Sequence, residues 1–236
     1  MRLLVISLLL LESHFLAQSQ RSEFSHKIIF LIGNRKAEEL DQFLQNSDFN
    51  KLTLEERADV IIAYSELYSW GKKGFEYSAK AYELAENSIK AYPNFWKFHY
   101  AIVVVLSHRV QKNNLLAITL IGKIDYHLSE ALKYGIDHWE PHFLAGVRYL
   151  EVPLFPDLKK AEELLKRALE LEPNHIFTYV VLGKLYEKKG DFCKALEIYN
   201  TALKLPIRPE WKIVDEDAKN EILKRIPEVS KKCIKR

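Results

Sequence analysis

"LGKLYEKKGDFCKALEIYNTAL", residues 182–203, contains two short amphipathic helices separated by a Gly190-Asp191 turn. Leu182 and Tyr186 on the first helix, and Ala195, Tyr199 and Ala202 on the second, return at three- and four-residue intervals. That is the period of one face of an α-helix. A single hairpin of this kind leaves an apolar side uncovered, so further hairpins must stack on it.

Outward from this stretch, helical periodicity continues, and Gly and Pro, eight of each, fall between the periodic segments. Residues 24–46 predict one or two helices broken at Gly33-Asn34. Thr53-Leu54-Glu55-Glu56 is a capping box, in which hydroxyl and carboxylate satisfy the orphan amides of a helix start. The helix it opens runs to about Trp70. Others are predicted over 75–91, 94–110, 114–134, 139–150, 157–171, 174–188 and 191–204, with a final one from Asp215 that Pro227 ends. The class is therefore all-α, with about ten helices in antiparallel pairs.

The residues at fixed places in these pairs resemble the tetratricopeptide repeat, a unit of ~34 residues with large and small positions in set order. In the last pair the matches are Tyr179, Leu182, Gly183, Tyr186, Ala195, Tyr199 and Ala202. Gly183, Ala195 and Ala202 allow close backbone approach, and the large residues fill the gaps between hairpins. Upstream, Gly146 and Tyr149, then Ala161, Leu165, Ala168 and Pro173, repeat the order around a longer turn at 152–157. Ala81, Ser88 and Pro93, with Tyr64 and Tyr68, mark a more degenerate pair. The pair at 94–134 keeps Trp96 and Ala131 but has an over-long second helix.

A narrower resemblance rests on several features together. They are the Phe95-Trp96 helix, the long 114–134 helix ending in "LSEALKYG", "PHFLAGVRYLEVPLFPDLKKAEELLKRALELEPN", and "LPIRPEWKIVDEDAKNEILKRI" after the last repeat. Over residues 53–226 the chain is similar to the T component (TatT) associated with TRAP transporters of bacterial periplasms, and to the related regulator-of-microtubule-dynamics group. The resemblance implies a protein that acts with an extracytoplasmic solute-binding protein. A hydrophobic ligand is implied as the alternative. The turn at 152–157 lacks the glycines common there, and no lipid-attachment cysteine follows the N-terminal apolar run.

That run, Leu3–Leu11, follows Arg2 and precedes Ala17-Gln18-Ser19, the pattern of a cleaved signal peptide. Its nine residues fall short of the ~20 that span a bilayer. The expected organisation is a signal at 1–19, a repeat domain at 20–226 and a basic tail at 227–236, placing the protein in the periplasm or outside the cell. The net charge of +3 is too small an excess for nucleic-acid binding. Residues 219–236 are nevertheless locally basic. In an oxidising compartment Cys193 and Cys233, the two cysteines of the chain, can pair and tie the tail to the last hairpin.

In a stack of this type the first helix of each pair lines the concave face. With Gly146 and Gly183 as register marks, the candidate binding residues are Lys97, Tyr100, His108, Glu140, Phe143, Phe177, Val180 and Lys184. Aliphatic, aromatic and basic groups together suit an extended protein segment or an apolar molecule with an acidic end. Homo-oligomerisation is left open. No catalytic constellation, cofactor or metal is expected. His138 and His142 have the spacing of a zinc-protease helix, but Pro141 belongs in a first helical turn, which leaves His138 in the preceding loop.

Overall fold

The computed structural model describes residues 21–151 and 156–234. The signal-like segment, most of the 152–157 turn and the last two residues lie outside them. Eleven α-helices are present among the described residues: α1 (Glu23–Gly33), α2 (Ala37–Gln45), α3 (Leu54–Ser69), α4 (Phe75–Ala91), α5 (Trp96–Lys112), α6 (Ala117–Tyr134), α7 (Trp139–Leu150), α8 (Leu158–Leu171), α9 (Ile176–Lys188), α10 (Phe192–Lys204) and α11 (Lys212–Ile234). Short 3-10 turns stand at Asn114–Leu116 and Pro209–Trp211. The helices from α3 to α10 form four successive pairs, each packed on the next, and α11 stacks on the last pair. The chain is an all-α solenoid.

Local chemistry sets most boundaries. Thr53 and Glu56 form the reciprocal capping box at α3, and the carboxylates of Asp157 and Asp191 accept from Lys160 and Lys194 amides to cap α8 and α10. Gly190 makes the hairpin turn at a positive φ of 76°, a conformation that costs glycine nothing. Within the last pair, a methyl on Gly183 would stand 2.5 Å from Tyr199 Cζ. Gly146 stands equally close to Leu165. Both glycines exist to let the paired helices touch.

Two apolar clusters result. One runs from α1 to α6, and the other from Leu150 through α8–α11 to Val229. They abut in α7 and α8, which give Ala145 and Leu164 to the first and Leu150 and Leu165 to the second.

The Gly33-Asn34 break stands where the sequence places it: α1 ends at Gly33, Asn34 caps it, and Arg35 at φ 48° completes the turn. Gly33 also admits a close approach, since a Cβ there would lie 2.8 Å from Trp211 Cα. One expectation changes. The last helix starts at Lys212 and runs through Pro227 to Ile234. Proline removes one helical hydrogen bond, and beyond it Val229 is buried while a Cys193–Cys233 disulfide fastens the end to α10. Residues 227–234 are thus mostly helix rather than loose tail.

Candidate functional site

The register of the first helices is fixed by a device that recurs. His99 Nε2–H donates to Pro93 O at 2.8 Å, His142 Nε2–H to Ile136 O at 2.8 Å, and Tyr179 O–H to Pro173 O at 3.0 Å. In each case the side chain reaches back six residues to the loop entering its own helix. Residues 99, 142 and 179 are therefore equivalent, and so are 97, 140 and 177, and 100, 143 and 180. A second repeated contact joins neighbouring pairs. The Trp96 ring stacks on His138 at 4.2 Å between centroids, and Trp139 stands against His175 at 4.1 Å.

The candidate residues separate into two groups. Lys97 lies almost buried, with Nζ 2.7 Å from Asp59 and 2.9 Å from Glu55 on α3. Burial opposes its charge, but the two carboxylates outweigh burial and raise its pKa. Burial pushes the Tyr100 hydroxyl pKa up, and Glu140 adds to the effect. His108 Nδ1 meets Ser65 Oγ at 2.8 Å, and its other nitrogen lies 3.9 Å from Glu66. Burial raises the Glu66 pKa despite His108 and Arg35. Burial likewise raises that of Glu140, whose Oε1 is 3.5 Å from Arg21 and whose Oε2 is buried without a hydrogen-bond partner among the described residues.

The second group is apolar apart from Lys184. Phe143 packs edge-on to Phe177 at 5.9 Å and to His175 at 5.2 Å, with Trp139 beside it. All three large rings are partly exposed. Val180 is fully buried in the C-terminal cluster and offers no surface to a ligand. Lys184 is held at 2.5 Å by Glu221 of α11, so its charge is already compensated.

The α1 helix lies across the concave side, a position that no local pattern in the sequence signals. Its packing partners are α2, α3, the Pro209–Trp211 turn and α11. Ser25 Oγ donates to Asp59 at 2.6 Å, joining the Lys97 cluster. Ile28 and Leu31 are fully buried. Beyond the end of α1, Asn34 donates to the carbonyls of Pro209 and Glu210, and Arg35 pairs with Asp217 at 2.7 Å. The α1 helix thus packs on α3 beside the Lys97 cluster. The Trp139–Phe143–Phe177 ladder stands further along.

Comparison with known proteins agrees with this geometry. A tetratricopeptide-repeat family model matches residues 178–206. A solved thermophilic TPR protein of Thermus thermophilus, TTC0263, superposes over 79% of this chain and 90% of its own, with a TM-score of 0.57 at 16% identity. The chain has a tetratricopeptide-like fold. The curated relatives it matches are the BBSome complex member BBS4 of Bos taurus, 40% identical over 75 residues, and of Mus musculus, 39% identical over 75 residues. Those matches cover 32% of this chain and 14% of either relative's length.

In this tetratricopeptide-like frame the histidines have structural places. His138 is the N-cap of α7, while His142 lies inside α7, bonded to the Ile136 carbonyl. His99 Nδ1 accepts from His127 Nδ1–H at 2.9 Å across the α5–α6 seam, because His99 already donates through Nε2. Two pockets, of about 130 and about 320 Å³, lie away from the concave residues, the larger beside the Asp125–Arg148 ion pair.

Proposed function

We propose that this tetratricopeptide-like solenoid is a protein-interaction scaffold that works outside the cytoplasm, with a transporter's solute-binding protein as its partner. The observation that carries the interaction reading is the half-buried Trp139–Phe143–Phe177 ladder. Aromatic side chains anchor protein interfaces. The same concave side already accommodates a helix of the chain's own, α1. Tetratricopeptide-like proteins in general act as non-enzymatic scaffolds, and no residue here is assigned a catalytic role.

Support for the extracytoplasmic placement comes from the Cys193–Cys233 disulfide, a bond that persists in oxidising compartments, and from the signal-like N-terminal run. Support for the solute-binding partner comes from the resemblance to the T component over residues 53–226.

The test is site-specific photo-crosslinking in native envelopes, with the reactive group at Phe177 on the concave side or at Glu163 on the outer face of α8. The expected result is a discrete adduct from Phe177, identified by mass spectrometry as a solute-binding protein, and none from Glu163. Identical adducts from both positions would overturn the reading. Lipid mass retained in native mass spectrometry without a protein adduct would favour a carrier of an apolar molecule instead. Free thiols at both cysteines on trapping in cells would overturn the placement.

A further inference from the structure

The turn between α3 and α4 reads Gly71-Lys72-Lys73-Gly74. It lies beside the end of α5, where a methyl on Gly71 would stand 3.8 Å from Lys112 Nζ. Arg109, one turn before Lys112, donates through Nε and Nη2 to Ser78 Oγ and O at 2.8 Å each, and the Phe75 and Tyr82 rings flank it at 5.1 and 4.7 Å. Of these cations only Lys73 has an ion-pair partner among the described residues, Asp41 at 2.5 Å. The acid that follows the turn, Glu76, accepts from the Gly74 amide. Arg109 is the anomaly: burial lowers its pKa, and a guanidinium withdrawn from water is ordinarily paired. Exposed apolar side chains share this edge. Phe75 is 59% exposed, Leu115 in the 3-10 turn after α5 75%, and Ile118 in the first turn of α6 81%. Single exposed apolar residues are ordinary; gathered beside uncompensated cations they make an amphipathic surface.

We propose that this edge docks on an anionic lipid surface, with Lys72, Lys112 and Arg109 meeting headgroup phosphates and Phe75, Leu115 and Ile118 entering the boundary with the acyl chains. Charge decides the occupant. Lys72 and Lys112 are exposed, and Arg109 keeps guanidinium donors that Ser78 does not engage. A planar guanidinium matches the oxygens of a phosphate. A protein partner would need acids placed to match each cation, whereas a layer of lipid phosphates compensates them wherever they fall along the edge. The edge lies at the ends of α3 and α5, while the aromatic ladder lies near the starts of α7 and α9. The lipid contact therefore does not depend on the protein partner proposed above.

A polarity-sensitive dye on the purified full chain tests the proposal, attached at Asn114→Cys in the edge or at Glu163→Cys on α8. The dye is read locally because the apolar run at 3–11 can hold the whole chain on a vesicle by itself. With vesicles of phosphatidylcholine mixed with phosphatidylglycerol, the emission from position 114 should shift to the blue and that from 163 should not. Vesicles of phosphatidylcholine alone should give no shift. Lys72→Glu with Lys112→Glu should raise the lipid concentration needed for the shift about tenfold or more, and Phe75→Ser with Ile118→Ser should do the same. All four side chains are exposed, so thermal melts of both double variants should stay cooperative and near the parent midpoint. An unshifted dye at 114, an equal shift on phosphatidylcholine alone, or a shift that both double variants keep overturns the proposal. Calorimetry with inorganic phosphate is run alongside. Saturable phosphate binding with no dye shift on vesicles would assign the cations to a free anion and overturn the membrane contact.

Discussion

Replacing Gly183 with alanine tests the packing that defines the last repeat. The added methyl would lie 2.5 Å from Tyr199 Cζ and 2.7 Å from Cδ1, so ring or helix must retreat by about 1 Å to restore ordinary contact. Retreat is hindered, because Tyr199 is fully buried and its hydroxyl donates to Glu187, which is paired with Arg225 of α11. Overpacking a filled core costs about 1–3 kcal/mol. Alanine returns up to about 1 kcal/mol through better helix propensity. A net loss of about 1–2 kcal/mol is expected, seen as a lower urea midpoint at unchanged slope. Tyr199→Leu should remove the clash, so the cost of Gly183→Ala should be smaller in the double variant than alone. A Gly183→Ala protein as stable as the parent would refute the close-approach argument and the repeat register built on it.

Acidification should destabilise the fold. Burial, with His99 and Lys123 nearby, holds the His127 pKa at about 4, and burial with Arg208 holds that of His175 at about 3. Both lie below the unfolded value near 6.5, so the unfolded chain takes up protons first. Full stability is present above about pH 6.5 and is lost as pH falls from there towards the folded values. At pH 5 the loss is about 2 kcal/mol per histidine, read as the difference between the parent and a His175→Gln variant in urea titrations at pH 7.5 and 5, because the raised carboxyls of Glu66 and Glu140 act in the opposite direction. Asp59→Ala should cost about 3–5 kcal/mol, because it strips the nearly buried Lys97 of its closest carboxylate. Adding Lys97→Met should recover most of that loss in the same titration. Reducing the Cys193–Cys233 bond, which spans a separation of 40 residues, should cost up to about 4 kcal/mol. It should also make Lys231 and Lys232 the first sites of trypsin cleavage, followed by mass mapping.

The helices, their pairing and the repeat are legible in the order of residues. Helical periodicity, the Thr53–Glu56 box, the Asp191 cap and the small residues at 183, 195 and 202 are local signals, legible within a few turns. They also placed Lys97, Tyr100, Glu140 and Phe143 in one register. What faces that register depends on contacts between distant segments. Apolar residues at 28, 31 and 32 show that α1 has a buried side, but not that this side lies over Asp59 and closes on Trp211. Ser25 meets Asp59 across 34 residues and Asn34 meets Pro209 across 175, and no local pattern encodes contacts that distant. The same holds for Val180, placed on the concave face by register yet buried once α11 packed against α9. It holds too for Pro227, whose lost hydrogen bond is outweighed by a disulfide and a buried Val229 that helix propensity cannot anticipate.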